Sequence, residues 1–443
     1  MEYIYINFYM KDIYINFYMK DNTKQFGSRK YILELDKVDP LSKYIDLFII
    51  HDPYQCYLNG NSLGRLPKAT IQNINNFMIN EWGKELVTGW KHWMNEARLV
   101  GNLLGLSALG AAEDQVLVTD NTSINFYQLA LAAIQARPHR KTIITDLSNF
   151  PTDMYILQGL VRQFDLKLII IDNKNSNEIK YERITPNILE KYMNDDVVLV
   201  TFQVIQYRSG ARLPMKEIND LVHDHGAYML WDASHAIGII EMNFDKDNID
   251  LAVGCTYKYG NSGPGSPGWL YVSKKIQKEL QVPIQGWFAQ VNQFKMDPLF
   301  QRDLESIRGF QIATPNLLGL ISVKTSFTMI KEATITEINN KRIRGTYIMI
   351  TLFHLWLLPL GFELNTPVNE DERGGHIILV HTYAKEIVDV LLNMMNVIVD
   401  YREPNSIRIA FSPLYNSFVE LWDAMFRLKC LVETKKHLKL KNT

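Results

Sequence analysis

At 443 residues, with 47% hydrophobic and 21% charged side chains, the chain has room for two or three domains and a large core. A formal net charge of −1, with the signs mixed along the sequence, argues against a nucleic-acid or anionic-membrane partner. Cys56, Cys255 and Cys430 are far apart and show neither CxxC nor Cys/His spacing, so a metal site is not expected and a cytoplasmic, reducing environment is.

The sequence IYINFYMKD occurs twice in succession near the start, at 4–12 and 13–21. It lacks a positive leading region and a small-residue cleavage site, so it reads as a duplicated arm (1–27) without a catalytic role. A short helix is expected within 33–48, with Asp39-Pro40 marking its start. YLNGNSLGRLP (57–67) follows, a polar glycine-containing loop that can carry backbone N–H groups and hydroxyls to a ligand; Asn61 and Ser62 are its candidate contacts. A helix is predicted over 68–86 with Phe77, Ile79 and Trp82 on its apolar side, and Trp90 and Trp93 behind it are candidate walls for an aromatic ligand.

From Gln115 the pattern alternates strand and helix. QVLVT, KTIITD, LKLIIID, DVVLVTFQV and AYMLWD read as buried strands, with a helix over 126–135, so a mostly parallel doubly wound sheet is expected. Thr122 and Ser123 fall where that helix begins, either as ordinary capping residues or as a phosphate-binding helix N-terminus. LSNFPTDMY reads as a loop offering Phe150 for stacking and Asp153 for a polar edge, while Arg208 reads as structural. Asp232 closes the AYMLWD strand, and Lys258 follows the short apolar strand LAVG in CTYKYGNSGPGSPG. Ligands of open α/β sheets bind outside the carboxyl ends of parallel strands, so this acid and this amine can meet across one cofactor. Pyridoxal phosphate fits both, with Lys258 as the Schiff-base lysine and Asp232 at the pyridinium nitrogen.

QGWFAQ (285–290) and GFQIATPN (309–316) read as further loops. The apolar run 347–360 contains Pro359 and falls short of the roughly 20 residues that span a bilayer, so a buried helix and no membrane association are expected. Beyond 317 helices precede the strands FELNTPV, HIILVHTY and IRIAF and a last helix near 418–434, a texture that suits a separate α+β lobe. The expected division is 28–75 as a segment joining the small domain, 76–316 as the large cofactor domain and 317–443 as the small one.

Taken together, YLNGNSLG, DNTSINF, NFPTD, QYRSG, WDASHAIG, AVGCTYKYGNSGPGSP, QGWF, RGGH and IRIAFSPLYNSF resemble, in order, the kynureninase family of fold-type-I pyridoxal-phosphate enzymes. The resemblance runs from about 33 to 431. It implies a fold-type-I architecture and hydrolytic Cβ–Cγ cleavage of L-kynurenine, or its 3-hydroxy derivative, to an anthranilate and L-alanine in tryptophan catabolism. It also implies a cytoplasmic homodimer with the active site at the subunit interface. By resemblance, Lys258, Tyr257 and Asp232 are the catalytic set, with Tyr257 as proton donor and phosphate contact. Thr122, Ser123, Phe150, Asp153 and His235 join them around the cofactor, and Trp287 and Thr314 complete the site, partly from the neighbouring subunit. Arg408 matches the arginine that binds the substrate carboxylate, a task suited to its planar fork. Gly260 stands where a larger apolar residue is common, and Ala289 where glycine usually follows WF.

Two other readings use the same residues. A cysteine desulfurase or class V aminotransferase shares the Asp/Lys pair, but a desulfurase needs a mobile catalytic cysteine, and Cys56 and Cys255 lie inside motifs. A non-catalytic binding protein on the same fold is opposed by the intact Lys258, Asp232, Tyr257 and Arg408.

Overall fold

In the computed structural model, residues 23–174 and 179–438 are described; the duplicated stretch at 4–21 lies outside them. Two cores organise the chain. The first surrounds a seven-stranded sheet made of β2 (Val116–Val118), β3 (Thr142–Asp146), β4 (Lys167–Ile171), β5 (Val197–Gln203), β6 (Tyr228–Asp232), β7 (Leu251–Gly254) and β8 (Trp269–Val272), following a short β1 (Cys56–Tyr57) that belongs elsewhere. Spatial order is β2-β8-β7-β6-β5-β3-β4, and only β8 runs antiparallel to its neighbours. Helices on both faces explain why β5, β6 and β7 are buried at every position and are written almost entirely in apolar residues.

The doubly wound, mostly parallel sheet thus forms as expected, with several local differences. The helix predicted over 126–135 begins at Thr122 and runs to Ala136, because the Asn121 side chain caps it by accepting from Ile124 N at 3.1 Å. PTDMY is the first turn of the helix Pro151–Phe164, not part of a loop. Pro151 stands where the missing N–H is unneeded and Asp153 lies in the first turn, both marks of a helix start. Asp39-Pro40 separates two helices, Arg29–Lys37 and a 3-10 turn at Ser42–Leu47. Helical structure does run through 68–85, but Phe77 alone of the expected apolar face is buried; Ile79 and Trp82 are 65% and 54% exposed.

The second core lies beneath an antiparallel sheet, order β12-β13-β10-β9, built from β9 (Glu363–Leu364), β10 (His376–Val380), β12 (Asp400–Arg402) and β13 (Ser406–Ala410). β1 from the N-terminal part pairs in parallel with β11 (Val397–Ile398) of the same lobe. The helix Leu317–Ala333 packs into the first core through Leu320, Val323, Phe327 and Ile330; the next helix gives Ile338 to the first core and Ile348 onward to the second, which Phe26, Ile32, Cys56 and Leu58 join from the N-terminal part. The helical run Ile335–Leu360 is 26 residues, longer than the expected buried stretch, and among the described residues it is long and apolar enough by composition to cross a membrane. Half of its apolar window is buried: Ile348, Met349, Leu352, Phe353 and Leu357 face the second core, and Lys341 forms a buried ion pair with Asp39 at 2.7 Å. That burial is what a lobe's central helix requires.

Candidate active site

The carboxyl ends of β3, β5, β6 and β7 converge on one crevice. β6 and β7 are parallel neighbours with Asp232 opposite Val253, so Asp232 ends one strand where the turn carrying Lys258 leaves the next. Lys258 Nζ lies 3.0 Å from His235 Nε2 and 5.9 Å from the centre of the Phe150 ring. His235 is completely enclosed, and burial followed by the charges of Lys258 and Arg408 holds its imidazole well below the usual histidine range, hence neutral.

Asp153, brought inward by the first turn of its helix, meets Asp232. Burial first, and then the neighbouring Asp232, push the Asp153 carboxyl well above the carboxylate range, so it keeps its proton near neutrality. Asp232 Oδ1 accepts from Ser234 N at 2.8 Å. Tyr257 is raised by the adjacent Cys255 and by burial and remains a phenol; its backbone carbonyl accepts from Gly64 N at 2.8 Å. Cys255 is itself enclosed, and burial pushes its thiol up, away from the reactive thiolate.

The small lobe closes the other side. Arg408 in β13 is 2% exposed and donates from Nη1 to the Tyr207 carbonyl at 2.9 Å and from Nη2 to Ser62 Oγ at 2.8 Å. Burial lowers it to about 10, which leaves the guanidinium charged. The 57–67 loop therefore reaches the site as expected, bringing Ser62 to Arg408. A Cβ at Gly64 would stand 2.4 Å from the Lys258 carbonyl, so only glycine permits this approach. Asn61 is fully buried, with neither amide atom hydrogen-bonded.

Thr122 and Ser123 open the helix N-terminus, and a Cβ at Gly268 would lie 2.9 Å from Thr122 N and fill that cradle. The buried Asp153 Oδ2 and His235 Nδ1 have no hydrogen-bond partner among the described residues. An N-terminal anion cradle, an amine, an acid and unsatisfied donors and acceptors around an aromatic ring fit a flat, phosphorylated, nitrogen-containing cofactor.

Other predicted residues lie farther out. Trp90 packs edge-on against Trp93 (5.5 Å between centroids), Trp287 against Phe288 (4.6 Å), and Thr314 is exposed. Arg208 is structural as expected, reaching Glu182 at 3.5 Å and the Glu403 carbonyl at 3.1 Å. A groove of about 600 Å³ between the helices Lys68–Asn76 and Leu317–Ala333 is lined by Phe77, Trp93 and Leu320, and by none of Lys258, Asp232 or Arg408.

Four residues at the site carried no assigned role. His376 is fully buried 5.6 Å from His235, with both ring nitrogens unpaired; its signal was the RGGH motif itself. Tyr207 meets Phe150 edge-on at 5.6 Å. Asp400 holds Arg408 from the three-residue edge strand β12, too short to show an alternation in the sequence. Tyr259, buried beside Gly375, gave no distinguishing sign.

Solved structures with the same architecture define the class. The chain is similar to a cysteine desulfurase from Thermococcus onnurineus NA1 (TM-score 0.71, 18% identity, 86% of this chain and 95% of that one) and to the cysteine desulfurase CsdA of Escherichia coli (TM-score 0.74, 14% identity, 91% and 99%). A C-DES mutant with glycine covalently linked to its PLP cofactor also superposes (TM-score 0.73, 14% identity, 85% and 96%). The fold is that of fold-type-I pyridoxal-phosphate enzymes.

Residues 338–428 match the model of the kynureninase C-terminal domain. Kynureninase of Burkholderia mallei (strain SAVP1) is 33% identical over 416 residues, covering 92% of this chain and 96% of the relative, and that of Pseudomonas fluorescens is 30% identical over the same shares. The chain belongs to the kynureninase family, and its cofactor is pyridoxal 5′-phosphate.

Proposed function

We propose that the protein is a cytoplasmic kynureninase, a homodimer that cleaves the Cβ–Cγ bond of L-kynurenine with water to give anthranilate and L-alanine. The observation that carries this reading is the closure of Lys258, the Asp153–Asp232 pair and Arg408 on one crevice, an amine and an acid pair from the large sheet facing a carboxylate receptor from the small lobe. Bound pyridoxal phosphate supplies a carbonyl for an amine and an electron-withdrawing ring that takes up the electrons of a bond broken beside it.

The chain's own groups divide the remaining work. The Asp232 carboxyl group holds a proton at the ring nitrogen, and neutral Asp153 can donate without adding a second negative charge beside it. Arg408 binds the substrate α-carboxylate through its planar fork, orienting the α-hydrogen towards Lys258 Nζ, the base that removes it. Water adds hydroxide to the aryl carbonyl carbon, the Cβ–Cγ bond breaks, the Tyr257 phenol gives its proton to Cβ and is restored by the proton that the water released, and Lys258 returns the α-proton to Cα. Thr122 and Ser123 hold the phosphate. The exposed Ile79, Trp82, Leu86 and Val87 (65%, 54%, 62% and 76%) form an apolar surface on the helical arm that supports pairing of two chains, with Trp287 and Thr314 completing the partner's site. The small Ala313 and the hydroxyl of Thr314, with Trp90, favour plain kynurenine over its 3-hydroxy derivative.

The test is incubation with L-kynurenine, which should release fluorescent anthranilate and an equal amount of alanine, with Lys258→Ala inactive. Sulfide released from cysteine without anthranilate from kynurenine would replace this reading with a desulfurase. Parallel turnover of 3-hydroxykynurenine measures the preference.

A further inference from the structure

Two guanidiniums border the crevice, and one carboxylate holds both. Asp400 and Arg408 are directly opposed in the antiparallel β12–β13 pair, so the register places their side chains on one face. Arg402, two positions along β12 from Asp400, projects to that same face. Asp400 Oδ2 accepts from Arg408 Nη2 at 2.5 Å and from Arg402 Nε at 2.9 Å, and Arg402 Nη2 lies 2.8 Å away.

Arg402 also belongs to the site wall. Its guanidinium carbon lies 5.9 Å over the Tyr207 ring, Tyr207 meets Phe150 at 5.6 Å, and Phe150 faces Lys258 Nζ at 5.9 Å. The buried Arg408 Nε has no hydrogen-bond partner among the described residues, an unsatisfied donor that an incoming carboxylate would satisfy. With two positive charges and one negative, the cluster has a net charge of +1, enough for one incoming carboxylate.

We infer that Asp400 is a specificity-determining residue: by cancelling one of two adjacent guanidiniums it makes the site a receptor for a single carboxylate and excludes molecules bearing a second anionic group. The inference rests on the reading of Arg408 as the carboxylate clamp. A dicarboxylate entering beside Asp400 would crowd three carboxylates around two guanidiniums, and the like charges would repel. With Asp400 neutralised, Arg402 becomes a second receptor. If Asp400 served only to orient Arg408, its loss would weaken every carboxylate alike.

Succinate and butyrate, matched in chain length and differing by one carboxylate, separate these cases. Their binding to the holoenzyme is measured by calorimetry and by competition with turnover, for the wild type, Asp400→Asn and the double variant Asp400→Asn/Arg402→Gln. Asp400→Asn should shift the succinate-to-butyrate affinity ratio towards succinate by about tenfold or more, and the double variant should reverse that shift. An unchanged ratio, or a gain that survives removal of Arg402, overturns the inference. Butyrate binding unaffected by Arg408→Ala would instead refute the clamp itself. Should Asp400→Asn not fold, Arg402→Gln alone leaves the cluster with no net charge, so butyrate should bind about tenfold more weakly; undiminished affinity overturns the inference equally.

Discussion

The amine of Lys258 and the imidazole of His235 meet at 3.0 Å, Nζ to Nε2, and the imidazole is neutral. In the tautomer that carries its proton on Nδ1, Nε2 accepts a hydrogen bond from the amine, and His235 then orients the lysine without repelling it. Replacing His235 by Phe removes the acceptor and should lower kcat by about 10²-fold, while Gln, which retains one, should lose less. Steady-state kinetics of the pair checks this, and equal loss in both variants counts against an orienting bond. Because the ring is already neutral, its titration should leave no inflection in kcat/KM between about pH 6 and 8, where an ordinary histidine titrates.

Asp153 and Asp232 are chemically alike and should respond differently to the same change. Asp153 is held protonated by burial and by Asp232, so Asp153→Asn exchanges one neutral hydrogen-bonding group for another and should retain activity within about tenfold. Asp232→Asn removes the acid that holds a proton at the ring nitrogen and should cost about 10³-fold or more in kcat. Comparable losses from the two would contradict the assignment.

For Arg408→Ala, KM for the amino acid should rise by about 10²-fold, as expected for loss of a buried charge-assisted contact worth roughly 2–3 kcal/mol. The visible absorbance of the bound cofactor should be retained. Loss of colour together with activity would place Arg408 in the cofactor site instead.

Gly260 stands where the family resemblance leads one to expect a bulkier residue, and its surroundings favour glycine. A Cβ there would lie 2.4 Å from the Thr256 carbonyl and 3.2 Å from Phe327 Cε2. Gly260→Leu should therefore overpack the turn behind Lys258 and destabilise the fold by about 1–3 kcal/mol, seen as a lower melting temperature. An unchanged melting temperature would show that the turn can shift away from the Thr256 carbonyl as well as from Phe327.

Asp146, at the end of β3 and fully buried, accepts from Asn173 Nδ2 at 2.9 Å and Gln206 Nε2 at 3.3 Å, and burial pushes its carboxyl up to about 7 from the usual 3.8. A carboxyl raised on folding contributes stability that is fully present below about pH 4 and is lost as pH rises through about 7. Asp146→Asn cannot ionise, so its melting temperature should gain on the wild type between pH 5 and 8, by on the order of 5 °C. A gap independent of pH would place the raised carboxyl elsewhere.

The main sheet was legible because its strands are near-continuous apolar runs ending in Asp146, Gln203 and Asp232, a pattern that buried parallel strands impose. Lys258 was legible through the glycines around it, which the Gly64 and Gly268 contacts require. Much of the small lobe was not. β12 is three half-buried residues and β9 two, too short to show a period, and β11 emerges only by pairing with the distant β1. For the same reason Asp400 could not be paired with Arg408 before the β12–β13 register was known. Ile79 and Trp82 failed differently: amphipathic spacing identifies an apolar stripe without saying whether it faces the chain's own core or another surface.

The pairing of β1 with β11 sets an order in time for the substrate-binding half. The 57–64 loop is made early, yet the strand that anchors its base arrives at Val397 and the arginine it meets at Arg408, after the whole large sheet has been synthesised. The large sheet can fold around its Lys258 and Asp232 ends while the loop bearing Ser62 still has nothing to grip. A nascent chain stalled before Val397 would therefore carry most of the cofactor-binding half and none of the carboxylate receptor.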